Sequence, residues 1–359
     1  MDSTLKLLLQ GIDTLQCAYY LHQEHNRELN FVDLLQQREE LRQSGQRGGK
    51  AISIGGVNFL LSPHGTGSGY PFLLTSENFK IECGEFNKPS FFVTFPSHAL
   101  WRESASLLHQ RFLSWASSVG FVPHQPERVS RVDFAFDYSL PVIDFDEDCF
   151  VSRAHKDSQY RDQGKIQTFT FGQGDIVLRI YDKVAEIEQQ SDKVWFFELW
   201  GQKENVWRIE WQLRKNILRQ FQILTLKDLL KNRGDLLRYL FEEHTTLRLR
   251  DSDGNRSRWP IHPLWTDLQA RIGELDQLGI NRIDGKNAVL EERMMRYAIS
   301  MYGYLKAVAA VYCVQKDLED VPIEYILRHV AILMHGFHEP IEWRSEVGKR
   351  ISEIESGVW

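Results

Sequence analysis

The 359-residue sequence predicts an α+β fold, with an antiparallel sheet-based catalytic core and a mostly helical C-terminal region. Three observations carry this expectation. The runs Arg131-Val132-Asp133-Phe134-Ala135-Phe136-Asp137, Leu178-Arg179-Ile180-Tyr181-Asp182-Lys183 and Trp207 to Arg214 alternate apolar and polar residues with a period of two, the pattern of strands with one buried face. Between residues 51 and 95, short apolar runs are punctuated by glycine. Beyond about residue 217, apolar residues recur at helical spacing. The chain accordingly divides into residues 1–50, an N-terminal strand and surface helix; 51–222, a β-rich core; and 223–359, a helical region.

Length and composition bound the function. A chain of 359 residues with 42% hydrophobic and 26% charged residues buries a real core. A net charge of -6 excludes a surface that is basic throughout, but leaves room for a local basic groove. Basic residues outnumber acidic ones from Arg208 to Arg258, whereas Asp144-Phe145-Asp146-Glu147-Asp148 is a compact acidic loop. Cys17, Cys83, Cys149 and Cys313 are far apart and form no Cys-x-x-Cys pair, so neither a zinc ribbon nor a disulfide framework is expected and a cytoplasmic location is the simplest. The first ten residues lack the pattern of a signal peptide. The most apolar helical run, Tyr302 to Val314, is read as too short to span a bilayer, so no membrane partner is expected.

Taken in order, Thr14 to Leu21 reads as a first strand and His22 to Leu41 as containing a surface helix, ended by Gly45, Gly48 and Gly49. His22 and His25 lack a third ligand at a familiar spacing and are taken as incidental. Ile52–Ile54, Val57–Leu61, Phe72–Leu74, Phe79–Glu82 and Phe91–Phe95 are expected strands. His64-Gly65-Thr66-Gly67-Ser68-Gly69 lacks a Walker ending and reads as a hairpin loop. Pro96 and Ser97 introduce a helix that ends at Gly120. Asp144 to Gln163 reads as an acidic excursion with a short helix or loop. Thr168–Phe171 and Ile176–Asp182 form a hairpin across Gly172-Gln173-Gly174-Asp175, after which the chain turns helical through Glu186 and Glu188. Leu224 to Phe241 has helical leucines, and Thr245 to Arg258 suits a loop or hairpin. Asn287 to Val314 reads as a long helix whose Leu290, Met294, Tyr297, Met301, Leu305, Val308 and Tyr312 stripe is packing core. A final helix runs from about Pro322 to Met334.

The polar faces of the three alternating strands carry the chemistry. Arg131, Asp133, Ala135 and Asp137 share one face; two acids there call for a divalent metal, an arginine partner or solvent at a sheet edge. Arg179, Tyr181 and Lys183 share another, where a phenol between two cations is a candidate nucleophile, because positive neighbours favour the phenolate and draw in a phosphate. Trp207, Ile209, Trp211 and Leu213 face a core, opposite Arg208, Glu210, Gln212 and Arg214. If these faces lie on one sheet surface, they form a cationic cleft containing carboxylates and a tyrosine.

These three motifs, in this order and with Glu186 following the second, resemble the Rep_trans replication initiation factors, the rolling-circle plasmid initiators, and the related relaxases of integrative elements. The resemblance spans about Gly11 to Arg219 and is strongest from Val129 to Arg214. It implies a DNA strand transferase that nicks one strand through Tyr181, leaving a 5′-phosphotyrosine link and a free 3′-OH. Arg179, Lys183 and Arg208 would neutralise the phosphate, and Asp133, Asp137, Glu210 and Glu186 would hold Mg2+ or Mn2+. No two of the twelve histidines are two residues apart, which departs from the His-x-His nickases and agrees with a carboxylate site. Arg131, Arg208, Arg214, Lys215, Arg248, Arg250, Arg256 and Arg258 are the expected DNA contacts. The implied partners are single-stranded or supercoiled origin DNA, a second copy of the chain and a helicase, with the C-terminal region serving origin recognition or dimerisation. A conjugative relaxase with the same chemistry is one alternative, and a non-catalytic DNA-binding protein is another.

Overall fold

The computed structural model describes residues 5–24, 28–45, 48–280, 286–336 and 338–356, with side chains outside 286–293, 295–296 and 353–356. The chain forms two compact units, Met1–Ile283 and Asp284–Trp359. In the first, β1 (Lys6–Tyr19) and β2 (Leu21–Gln23) precede α1 (Phe31–Gln43). Five strands follow: β3 (Lys50–Ile54), β4 (Val57–Leu61), β5 (Phe72–Thr75), β6 (Lys80–Cys83) and β7 (Phe91–Phe95). Next come α2 (Ser97–Arg102), α3 (Ala105–Ser118), β8 (Phe121–Pro123), β9 (Arg128–Ser139), β10 (Phe150–Ser152), β11 (Asp157–Asp162), β12 (Lys165–Phe171) and β13 (Ile176–Asp182). After α4 (Lys183–Glu186) and α5 (Phe196–Trp200), β14 (Val206–Arg214) leads into α6 (Lys215–Gln220), α7 (Leu226–Arg238), β15 (Thr245–Leu247) and α8 (Pro263–Gly273).

Eleven strands make one sheet in the order β11-β12-β13-β14-β9-β1-β7-β6-β5-β4-β3, and its pairings are antiparallel. The alternation read from the sequence explains its centre. Ile209 pairs with Phe136, Trp211 with Phe134 and Leu213 with Val132, so all six apolar side chains fall on one face. Phe241 and Trp265 close over that face, with Phe241 5.4 Å from Phe136, 5.6 Å from Trp211 and 5.1 Å from Trp265 between ring centroids. The residues that cover this face of β9 and β14 therefore come from beyond residue 222, a position that lies inside the first unit.

Local chemistry sets the ends of the elements. Thr225 and Asp228 form a reciprocal capping box at the start of α7. Ser104 accepts from the Leu107 N–H and starts α3, which splits the single helix expected after Pro96 into α2 and α3. Gly172 has φ of +93°, and a Cβ there would lie 2.4 Å from the Ile176 carbonyl oxygen, so the tight β12–β13 connection requires glycine.

Further differences from the sequence reading have physical causes. β1 begins at Lys6 rather than Thr14, because Gly11 lies inside the strand: a Cβ at Gly11 would meet the Trp101 ring at 3.0 Å. Part of the expected acidic excursion forms β11, an exposed, polar edge strand without the apolar face that would mark it as a strand in the sequence. In the second unit, α9 (Lys286–Lys316) and α10 (Ile323–His335) are joined by the hydroxyls of Tyr312 and Tyr325, 2.8 Å apart, and α11 (Pro340–Ser356) follows the helix that was expected to be final. In the Met and aromatic stripe expected to be packing core, Met294, Tyr297 and Met301 are exposed while Leu305, Val308 and Tyr312 are half-buried, and the Leu290 side chain lies outside the described residues. Within α9, Tyr297–Lys316 is long and apolar enough to cross a membrane by length and composition, unlike the shorter run read from the sequence. His25 lies outside the described residues.

Candidate active site

The sheet order places β13, β14 and β9 side by side, so the three polar strand faces meet on one surface. Tyr181 pairs with Arg208, Arg179 with Glu210, Arg208 with Asp137 and Gln212 with Asp133. The neighbouring strand β1 supplies a residue that the sequence reading missed. Between Ile12 and Thr14 the β1–β9 register shifts by one residue, and Asp13 occupies this bulge. Bulges redirect a side chain and are common beside functional sites.

Arg208 is wholly buried between Asp13 and Asp137. Its Nε and Nη2 donate to the two Asp137 oxygens at 2.6 and 2.9 Å, and Nη1 donates to Asp13 Oδ1 at 2.8 Å. Asp13 also accepts from Ser97 and the Trp101 indole at 2.8 Å each, and Asp137 accepts from the Trp200 indole at 2.9 Å. Phe196 lies over the guanidinium, 4.5 Å from its carbon to the ring centroid. Burial alone would raise the Asp13 pKa, but Arg208, then Lys193, and the Trp101 hydrogen bond hold it far below the carboxylate range. The same two carboxylates hold the Arg208 pKa well above its ordinary value despite burial.

Beside this network is a cavity of about 230 Å³, lined by Tyr160, Thr168, Arg179, Tyr181, Glu186 and Glu210 among others. The half-buried Tyr181 hydroxyl donates to Glu210 Oε2 at 3.0 Å, and Arg179 Nη1 donates to Glu210 Oε1 at 3.3 Å and to Gln212 at 3.4 Å. Asp182, the last residue of β13, caps α4 by accepting from the Val184 and Ala185 N–H groups at 3.0 Å each, which ends the strand one residue after Tyr181. Lys183 is buried under the phenol, its Nζ 5.6 Å from the Tyr181 ring centroid and ion-paired with Glu186. Burial, then the Arg208 charge, lower the Lys183 pKa, while Glu186 opposes them.

The electrostatics reverse the reading of Tyr181 as a phenolate between cations. Burial, then Glu210, push the Tyr181 pKa well above 10, and Arg208 only partly offsets them. Glu210 in turn is raised above the ordinary carboxylate range, first by burial and then by Asp13. The pair is thus a phenol donating to a carboxylate, with burial and neighbouring charge raising the proton affinity of both groups.

Several expected roles change with these contacts. Arg208 is sealed beneath Phe196 and bound to two carboxylates, so it is structural rather than a DNA contact. Asp137 is fully buried and has both oxygens occupied. Asp133 is paired with Arg131, Glu210 with Arg179, and Glu186 with Lys183. These four carboxylates are committed to cations of the chain and do not fit a divalent-metal cage as arranged; no cluster of three or more His, Cys, Asp or Glu able to hold a metal occurs among the described residues. Arg214 and Lys215 are exposed at the end of the sheet where Arg214 pairs with Arg131. The basic segment after β15 is engaged with the chain itself. Arg250 pairs with Asp146, Arg256 with Asp148 and Arg258 with Asp253, while Arg248 donates to Thr246 and to the Trp259 carbonyl.

Two predictions follow from the contrast between these carboxylates. Arg208→Met leaves two buried charges uncompensated and lowers stability in urea denaturation by about 3–5 kcal/mol; a loss below about 1 kcal/mol contradicts the network. For Glu210 the sign is opposite: a raised folded-state pKa means that the native state holds a proton more tightly than the unfolded chain, so stability falls as pH rises through the folded pKa. Glu210→Gln therefore holds or raises the melting temperature at pH 7 and flattens its pH dependence above pH 4.5. A clear drop in melting temperature contradicts this.

No protein family and no curated protein sequence matches the chain. Among solved structures, the chain is similar to the rolling circle replication initiator protein from Geobacillus stearothermophilus, at 18% identity, with 75% of this chain and 97% of that chain covered and a TM-score of 0.45.

Proposed function

We propose that this chain is a rolling-circle replication initiator that nicks one strand of DNA with Tyr181, a site-specific single-strand endonuclease and strand transferase. The observation that carries the reading is the Tyr181 hydroxyl donating to Glu210 at 3.0 Å inside a cavity that Arg179 also lines. That separation lies within the range for general-base catalysis, and the raised Glu210 pKa suits a base.

In this mechanism Arg179 releases its long contacts to Glu210 and Gln212 and turns to a backbone phosphate, as a guanidinium suits bidentate phosphate binding. Glu210 takes the phenol proton as the Tyr181 oxygen bonds to phosphorus. The bond from phosphorus to the 3′ oxygen breaks, that oxygen takes a proton from solvent, and the 5′ side stays on the enzyme as a phosphotyrosine. Running the step backwards rejoins the strand. Lys183 holds the phenol ring from below, and Asp13, Arg208 and Asp137 fix the strands that carry the reacting groups. Arg131, Arg214 and Lys215 at the sheet end extend the basic surface toward the DNA backbone.

The test is an assay for a denaturation-resistant protein–DNA adduct on supercoiled plasmid and on labelled single-stranded DNA, with Mg2+ or Mn2+ supplied. Wild type yields the adduct, and Tyr181→Phe lowers its yield by at least about 1,000-fold, as expected when a covalent nucleophile is removed. An adduct that persists in Tyr181→Phe removes the assignment.

A further inference from the structure

We propose that Tyr160 is the stacking platform that seats an unpaired DNA base beside Tyr181, an inference that rests on the reading of Tyr181 as the attacking phenol. The sheet register is the first argument. Tyr160 on β11 pairs with Thr168 on β12, which pairs with Tyr181 on β13, so the two tyrosines lie in line across the sheet. Directly paired residues share a face, so both rings stand on the same side, two strand spacings or about 10 Å apart.

The second argument is the shared cavity. Tyr160 and Tyr181 line the same 230 Å³ space, together with Arg179 and Glu210. Tyr160 is 57% exposed although it lines a wall of this cavity. A large aromatic ring left open on an edge strand, next to a half-buried guanidinium, has the composition of a single-strand binding surface, where bases stack on aromatic rings and cations track the phosphates. The β11–β12 pairing also shifts register between Tyr160 and Arg161. A bulge there turns the edge hairpin and its tyrosine at the margin of the site.

Stacking is favoured over a role as a second nucleophile by the surroundings of the hydroxyl. No carboxylate or imidazole lies within hydrogen-bonding reach of the Tyr160 oxygen among the described residues, whereas Tyr181 has Glu210 as its base. The platform takes a base of any identity, because every base presents a π-face. Its contribution is also insensitive to salt, since stacking releases no counterions.

The test measures binding of the full chain to a fluorescein-labelled dT20 and to a mixed-sequence 20-mer by anisotropy over a salt series. Wild type, Tyr160→Ala, Tyr160→Phe, Tyr160→Trp and Tyr181→Phe are compared, with circular dichroism confirming the fold. Tyr160→Ala is expected to weaken binding about tenfold, the usual worth of one aromatic–base stack, with the wild-type salt slope retained. Tyr160→Phe and Tyr160→Trp stay within about twofold of wild type, because ring area and not the hydroxyl is used. Wild-type affinity in Tyr160→Ala, or equal losses in the Ala and Phe variants, overturns the platform, as does absence of measurable binding by wild type. The adduct assay run in parallel separates the two claims. An intact Tyr181-dependent adduct with unchanged Tyr160→Ala binding defeats only the platform. Tyr160-dependent binding without an adduct supports the platform and defeats the nicking reading.

Discussion

The buried bridge from Asp13 through Arg208 to Asp137 is the constraint on which the arrangement of the site depends. It ties β1, β14 and β9 together at one level of the sheet, with a fully buried guanidinium and three hydrogen bonds to carboxylates. Burying such charges is costly, and only close geometry with every lone pair and proton engaged offsets the cost. The indoles of Trp101 and Trp200 and the hydroxyl of Ser97 add hydrogen bonds to the carboxylate oxygens, while the Phe196 ring lies over the guanidinium. The network therefore specifies register: slipping one strand by a single residue turns its polar row to the opposite face and breaks the bridge.

From this platform the polarity of the neighbouring pair follows. Arg208 favours the phenolate at Tyr181, but burial and then the Glu210 charge outweigh it. Of the three cations expected to neutralise a phosphate, Lys183 and Arg208 are almost wholly buried and paired with carboxylates of the chain. Arg179 differs: it is half-buried and its hydrogen bonds of 3.3 to 3.5 Å are long. Among these three cations it is the one least committed to the chain.

Much of the site was legible because strands impose a period of two. The alternation around Asp133, Tyr181 and Glu210 placed those side chains on the correct faces, and the sheet order joined the faces. Asp13 was not legible: it lies 195 positions from Arg208 in the chain and reaches it from a bulge, which residue spacing does not reveal. The bonds between the acidic loop at Asp146 and Asp148 and the basic segment at Arg250 and Arg256 were hidden for a similar reason. Each looked like a free charged patch until folding brought them together, over 104 positions in the case of Arg250 and Asp146. Periodicity located α9 but could not report burial, because an apolar stripe reads alike whether or not another surface covers it.

The protonation state of the Tyr181–Glu210 pair decides how the phenol can act. It is tested most directly by a pH titration of the protein labelled with 13C at the tyrosine ζ carbon, followed by NMR, with the Tyr181 signal assigned by its loss in Tyr181→Phe. The Tyr181 signal is expected to stay at the position of the protonated phenol beyond pH 10, up to the limit of the fold, where an unperturbed tyrosine would already have titrated. A Tyr181 signal that moves to the phenolate position below pH 10 contradicts it.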